Sequence, residues 1–537
     1  MFKCKQLLRR ICVVSYVFLL CGGLVNASNL VSKTNTLIGT QGNGWASGYL
    51  YPGATYPFGM VQFTPTYFTK QLGFVINQLS GAGCDHMGNF PTLPIAGALR
   101  VSPDSILNMQ TPVGKEIGTA GYYAATVDHS IRAELTVTER TGMARYTFSS
   151  KEKQGTVIIG GGVAATSIQV AAIKITGPHS CEGYAEGGAF CGIPTPYKVY
   201  FVAEFDADAE SFGTWKEERL HANHTFAEGS HSGVYFTFPL KEGNQAVQYK
   251  IGVSYVSVEN ARENLRVENP AWDFSAVRQA TQDKWNEYLG KIEVEGDNED
   301  RQMQFYTHLY RSLIHPNVCS DVNGEYMGAD SQVHKIARKF YTSFSNWDTY
   351  RTQTALIAML APEETSDIVM SHYLFAEQSG GGFPRWVLAN IETGVMQGDP
   401  TPILVANAYA FGARNYDPRT LLRTMRYGAE VPGANSQGVL TRPGLEQYLE
   451  KGYYDASILL EYTSSDFAIG RFALQACNDE PVCNWYTQRA MNWKNLFNKE
   501  TGWLQSRNED GSWKRYDADW RESTYKNYFW MVPYDLQ

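Results

Sequence analysis

The chain is poor in positive charge: 46 lysines and arginines face 54 acids, a formal net charge of −8 over 537 residues. That balance excludes a protein built to grip nucleic acid or an anionic membrane. Beyond the extreme N-terminus no apolar stretch is long enough to span a bilayer. The nine cysteines show no zinc-ligand spacing, and no sequence-level repeat is visible. With 43% hydrophobic and 19% charged residues, the composition is that of a soluble globular protein, neither disordered nor membrane-embedded. The length exceeds one ordinary core, so two or more domains are expected.

What is present begins with a secretory pattern. Lys3, Lys5, Arg9 and Arg10 precede an apolar run from Ile11 to Leu20, and Val25-Asn26-Ala27 supplies small residues for cleavage. The bulky Leu19-Leu20 before Cys21 makes a poor lipoprotein site, so residues 1–27 are expected to be a signal peptide of a secreted or periplasmic protein. Its removal takes four positive charges and no negative ones, moving the net charge from −8 to −12. Six cysteines remain, in a compartment that permits disulfides. Cys181/Cys191 and Cys477/Cys483 are close enough in sequence to be plausible bridges, while Cys84 and Cys319 lack a local partner.

The first half reads as β. Ala133, Leu135 and Val137 alternate with polar residues, as do Ala144, Tyr146 and Phe148, with Glu139–Gly142 as the turn between them. Further strands fit 198–205, 234–238 and 249–258. Many short strands without intervening helices point to an antiparallel β-sandwich over residues 28–268. Near Pro270 the period changes. Phe274, Val277, Trp285 and Leu289 mark a linker helix within 269–291 that stops at Gly290. Helical spacing then dominates 292–537: Phe305, Leu309 and Leu313, and later Tyr486, Ala490, Trp493 and Phe497. Helix pairs joined by long loops suggest an α/α toroid.

Aromatic residues make up 13%, and the 33 tyrosines outnumber the 26 phenylalanines. Within Tyr341–Arg351, Trp347, Asp348 and Arg351 set an indole, a carboxylate and a guanidinium side by side. A sugar site needs that mixture, a flat apolar face for ring C–H groups beside charged partners for hydroxyls. A buried Trp347 with a helix-start Asp348–Arg351 pair explains the same residues equally well. Three more loops concentrate polar and aromatic residues: Ser320–Tyr326, Phe383–Pro400 and Trp520–Tyr528. Glycosidic cleavage normally uses one carboxylic acid to protonate the leaving oxygen and a second carboxylate to activate water or attack. The carboxylates here are too many for counting alone to choose among them.

The segments Ile38-Gly-Thr-Gln-Gly-Asn-Gly44, Pro52-Gly-Ala-Thr-Tyr-Pro-Phe-Gly-Met-Val-Gln62 and Leu79-Ser-Gly-Ala-Gly-Cys84 resemble the opening of glycoside hydrolase family 92. Asp321-Val-Asn-Gly-Glu-Tyr326, Phe344-Ser-Asn-Trp-Asp-Thr-Tyr-Arg351, Leu388-Ala-Asn-Ile-Glu392 with Gly398-Asp-Pro400, and Val532-Pro-Tyr-Asp535 continue the series in order. The resemblance implies a β-sandwich followed by an (α/α)6 barrel. It implies a calcium-dependent, inverting exo-α-mannosidase (α-1,2 by preference) that trims α-mannoside glycans such as N-glycans or mannans. Glu522 matches the family's general acid, Trp347 and Asp348 match residues of the terminal mannose subsite, and Arg351 belongs to the same motif.

Two departures stand out. After its acid the family usually has Gly-Asn-Ala-Trp-Gln, where this chain has Ser523-Thr-Tyr-Lys-Asn527; Tyr525 and Lys526 suit an anionic substituent, and some relatives act on mannose-phosphate linkages. His86 and Asn89 likewise replace acids common in the family's Gly-Cys loop. The Gly-Asn-Glu-Pro-Ser-His segment that the family ties to calcium, and the Asp-x-Asp segment that supplies its general base beyond the Val532-Pro-Tyr-Asp535 motif, have no counterpart at those places here. The expectation is therefore an incomplete barrel, with the calcium ligands mainly elsewhere and no metal ligand assigned in this chain. A secreted glycan-binding protein without catalysis is the alternative of a different class.

Overall fold

The computed structural model describes residues 29–40, 49–65, 73–104, 113–242 and 245–535. The expected signal peptide and the Gln41–Gly44 part of the first family segment lie outside the described residues. Two antiparallel sheets of eight and nine strands form the N-terminal half. Along the larger sheet run, from one edge, Phe226–Glu228, Ile168–Gly177, Ser180–Phe190, Ile193–Phe205, Ala246–Ser254, Thr141–Thr147, Ile131–Val137, Tyr122–Val127 and Val113–Thr119. The expected hairpin is present: Leu135 lies opposite Ala144 and Ala133 opposite Tyr146. These side chains and Phe63, Val157, Phe236, Tyr249 and Ile251 fill one apolar core between the sheets. That alternation of inward apolar residues is what two packed sheets require.

The final strand ends at Ser254, short of the expected Val258, because Ser257 caps a helix by accepting from the Asn260 amide. This helix, Val258–Glu268, lays Ala261 and Leu265 on Val202, on the sheet face away from the core. The next helix, Phe274–Leu289, is capped by Asp273 and ends where the sequence places it, although Gly290 has φ −70° rather than a left-handed turn. It packs on the strand Ile131–Val137. Trp285 donates its indole N–H to Thr55 O at 2.7 Å. Gly121, at φ +79°, makes room for this helix: a Cβ there would lie 2.7 Å from Thr281 Cγ2.

Helices dominate the remainder, including Glu299–Ser312, Pro362–Gln378, Thr401–Ala410, Pro418–Glu430 and Ala456–Cys477. The last four pack on one another around a separate apolar core containing Leu404, Leu421, Met425, Ile469 and Phe472, whereas Glu299–Ser312 lays Tyr306, Leu309 and Tyr310 in another with Trp285 and Phe344. Among the described residues they do not close into a barrel. The periodic run through Phe497 is shorter than its spacing suggests: the helix Glu480–Ala490 passes into a 3-10 turn, Met491–Leu496.

The cysteine pairing differs from both expected bridges. Cys84 is bonded to Cys191, and Cys181, Cys319, Cys477 and Cys483 are free and buried. Cys181 and Cys191 sit near opposite ends of the strand Ser180–Phe190, about 33 Å apart at the rise of an extended chain. Cys477 ends one helix, and Cys483 points along the next toward Thr487 Oγ1 at 3.9 Å.

Candidate active site

The segment singled out in sequence forms a one-turn helix, Asn346–Thr349. Buried Asn346 anchors it, donating to Pro384 O at 3.1 Å and to Thr401 Oγ1 at 2.9 Å. From this anchor Trp347 and Arg351 project into a cleft of about 210 Å³ that Arg521, Glu522, Asn527 and Tyr528 also line. The Arg351 guanidinium lies 4.7 Å from the Trp347 ring centroid and 4.8 Å from that of Tyr350. Asp348 is exposed beside them. Desolvation raises its pKa, donors from Ser345, Trp386 and Arg351 oppose that, and the charge of Glu522 raises it further. The four residues chosen from sequence, Trp347, Asp348, Arg351 and Glu522, are therefore brought together.

Glu522 is held by its backbone. Tyr528 donates its hydroxyl to Arg521 O at 2.8 Å and accepts from Gln397 Nε2 at 3.1 Å, and Ser457 Oγ donates to Gln397 Oε1 at 3.1 Å. At φ 57°, Glu522 occupies a left-handed conformation that costs a non-glycine residue about 1–2 kcal/mol. Its side chain is exposed in the cleft, not buried. Of the residues that depart from the family pattern, Ser523 and Asn527 line the cleft, whereas Tyr525 packs edge-on against Trp503 and Tyr516.

The other candidate acids have structural work. Asp321 accepts from Ser254 Oγ at 2.7 Å, Asn260 Nδ2 at 2.8 Å and Asn264 Nδ2 at 2.6 Å. Glu392 accepts the backbone N–H groups of Arg385, Trp386 and Gly394. Asp399 pairs with buried Arg442 at 2.8 Å, which also reaches Asp466 at 2.8 Å. His86 is buried in place of an acid, with Nε2 accepting from the Leu79 amide and Nδ1 donating to Cys84 O. Burial lowers its pKa to about 4, so it is neutral.

One site residue escaped the sequence reading. Glu461, fully buried on the helix Ala456–Cys477, accepts from Trp347 Nε1 at 2.9 Å and Tyr350 OH at 3.0 Å, and Arg351 Nη2 lies 3.3 Å away. Burial raises its pKa to about 7 against the pull of these three donors. Its signal was the interruption of an apolar helical run, Ile458-Leu-Leu-Glu-Tyr462, by an acid that burial forces to find partners.

Calcium needs six to eight oxygen ligands. Among the described residues no three His, Cys, Asp or Glu side chains gather to hold a metal, and the oxygens of Glu461 are already taken by donors. The described residues do not by themselves make a calcium site. A larger cavity of about 530 Å³, lined by Arg351, Asn407, Phe467, Arg471, Trp530 and Tyr534 among others, adjoins the cleft but includes no carboxylate.

A sandwich joined to a helical domain, with a cleft holding an exposed acid, an indole and a guanidinium, offers the residue types that a carbohydrate site needs. The family comparison agrees. Residues 34–254 match the glycosyl hydrolase family 92 N-terminal domain and residues 260–537 its catalytic domain, so the chain belongs to that family. An uncharacterized secreted glycosidase of Arthroderma benhamiae is 24% identical over 95% of this chain and 71% of its own length. The family GH92 alpha-mannosidase BT3965 from Bacteroides thetaiotaomicron superposes with a TM-score of 0.86 at 24% identity, over 94% of this chain and 72% of that one. The family GH92 inverting mannosidase BT2199 from the same organism gives 0.84 at 25% identity, over 94% and 71%. No helix among the described residues is long and apolar enough to cross a membrane.

Proposed function

We propose that this chain is an exported exo-acting α-mannosidase that removes terminal mannose from α-mannoside glycans, α-1,2-linked by preference, with inversion. The observation that carries this reading is the convergence of Trp347, Arg351 and Glu522 on one cleft, from parts of the sequence about 170 positions apart. The Trp347 face takes the C–H side of the sugar ring, while Asp348 accepts from sugar hydroxyls and Arg351 donates to them. Glu522 gives its carboxyl proton to the departing glycosidic oxygen as the bond to the anomeric carbon breaks. Substrate filling the cleft displaces water from around the Glu522 carboxyl. The group that activates the attacking water is not assigned to a residue of this chain.

A second reading concerns the leaving group. Arg521 lies beside Glu522 in the cleft with Arg351 nearby, and two guanidiniums suit a mannose-phosphate linkage. The test is release of free mannose by the full chain and by Glu522→Gln, from α-1,2-mannobiose and from mannose-1-phospho-6-mannose. Loss of at least about a hundredfold in the variant on mannobiose supports the acid role. Unchanged turnover would remove Glu522 from it. Preference for the phosphodiester selects the second reading, and binding of mannobiose by the wild type without hydrolysis selects a glycan-binding protein.

A further inference from the structure

The short helix that carries the cleft's indole and guanidinium is tied at three points to a single acid. Trp347, Tyr350 and Arg351 are spaced i, i+3 and i+4, so they share one helix face. All three direct donors at Glu461. Oε1 takes Trp347 Nε1 at 2.9 Å and faces Arg351 Nη2 at 3.3 Å, and Oε2 takes Tyr350 OH at 3.0 Å. Among the described residues, the further contacts of Arg351 are the Met531 sulfur and the faces of the Trp347 and Tyr350 rings, which Glu461 itself holds. Glu461 itself cannot move aside. It is 0% exposed, and a Cβ on Gly398 (φ +76°) would lie 2.5 Å from Glu461 Cβ, so the Gly398-Asp-Pro400 turn is pressed directly against it.

We infer that Glu461 is a positioning residue for the sugar cleft: it holds the Trp347 indole and the Arg351 guanidinium in the orientation that receives the sugar, without touching substrate itself. This rests on the mannoside reading of the cleft only for its functional consequence; the hold on the two side chains stands apart from it. A carboxylate is suited to the task because it accepts at both oxygens and carries the charge that draws in Arg351. A neutral carboxyl must donate at one oxygen, which sets its proton against one of the three donors. The group is poised between these states, its pKa raised to about 7 by burial. The titratable and charged groups facing it are Arg351 and Tyr350 from the short helix and Tyr528 from the loop after Glu522. Asp399 in the Gly398 turn is engaged by Arg442, and Arg385 donates to Gly398 O at 3.0 Å. The hold therefore tightens as pH rises through about 7.

The test is fluorine NMR of the full chain labelled with 5-fluorotryptophan, the Trp347 resonance being identified by its loss in Trp347→Phe. In the wild type this resonance shifts with pH, with a midpoint near 7. In Glu461→Gln the shift around 7 disappears, and any residual titration reports Asp348 on the cleft side. Glutamine keeps the shape, and Tyr350 can turn its hydroxyl to accept from the new amide, so the fold is preserved. Tyr350→Phe is the second variant. It removes one donor to the carboxylate, so the midpoint moves upward. A Trp347 resonance without a midpoint near 7 in the wild type, or one unchanged in Glu461→Gln, overturns the inference. With mannobiose, Glu461→Gln raises KM about tenfold at pH 8 and leaves kcat within about twofold, as loss of one charged hydrogen bond to a ground-state contact predicts. A merely structural acid would lower the active fraction and leave KM unchanged. If the resonance behaves as stated while no mannoside binds, the mannoside reading fails and the positioning role survives.

Discussion

Phe190 stacks on Trp386 with ring centroids 4.3 Å apart and planes 29° apart, so a strand of the sandwich packs against the helical half behind Asp348. Trp386 in turn is one of the side chains that bond Asp348. Phe190→Ala should therefore act twice. Unfolding is expected to become easier by about 3–5 kcal/mol, the usual cost of emptying a buried phenylalanine site. Mannobiose KM should also rise several-fold. Denaturant unfolding and steady-state kinetics measure the two effects separately; lowered stability with unaltered KM would uncouple Phe190 from the cleft.

The disulfide next to this stack clips it in place. Cys191 follows Phe190 directly, and its bond to Cys84 closes a loop with a sequence separation of 107. Replacing both cysteines by serine is expected to cost about 2–5 kcal/mol, because a long loop regains its freedom in the unfolded chain. Comparing the urea midpoints of oxidised wild type, reduced wild type and the double variant checks it. All three should separate into one stable and two equally weakened species.

Glu461 makes stability depend on pH in a direction opposite to that of an ordinary paired carboxylate. Its folded pKa is raised from 4.5 to about 7. Between those values the folded state holds a proton that the unfolded state has released, so stability falls as pH rises through this window. The loss contributed by this group is on the order of 3 kcal/mol by pH 8. Glu461→Gln should remove that slope and be at least as stable as wild type at pH 8. Thermal melts at half-unit pH steps test this, and a slope identical in both proteins would contradict it. On the positioning role inferred for Glu461, the ionised state that holds the cleft side chains is the less stable one.

Arg442 lies at the centre of a buried ionic group. It reaches Asp399 and Asp466 at 2.8 Å each, and Asp466 also pairs with Arg489 and accepts from Tyr448 OH at 2.6 Å. Arg442→Met leaves Asp399 buried without its cation, and a cost of about 3–5 kcal/mol is expected. Asp399→Asn in the same background should restore part of it. Double-variant unfolding measures this; strict additivity would mean the two residues do not interact.

Much of the fold was legible along the chain. The period-two runs around Leu135 and Tyr146 pair as expected because each residue need only know which face is buried. The helix ending at Gly290 was equally local. The disulfide was not legible: Cys181 and Cys191 are near in sequence, but a strand holds them apart, and Cys84 reaches Cys191 only through the stacking of sheets. At the site, Trp347, Asp348, Arg351 and Glu522 were found through motifs. The carboxylates of Glu392 and Asp399 read the same way in sequence, and only their partners show that they hold backbone and Arg442.

By itself the sequence determined the family, the order of sandwich and helices, and the residue types proposed to meet a sugar, because these follow from short-range pattern and local motif. Only the tertiary structure decided which acid is exposed in the cleft and which is buried behind it. Burial and hydrogen-bond partnership come from segments more than a hundred residues apart, as with Trp347 and Glu461, and no local pattern records what a distant helix will bring.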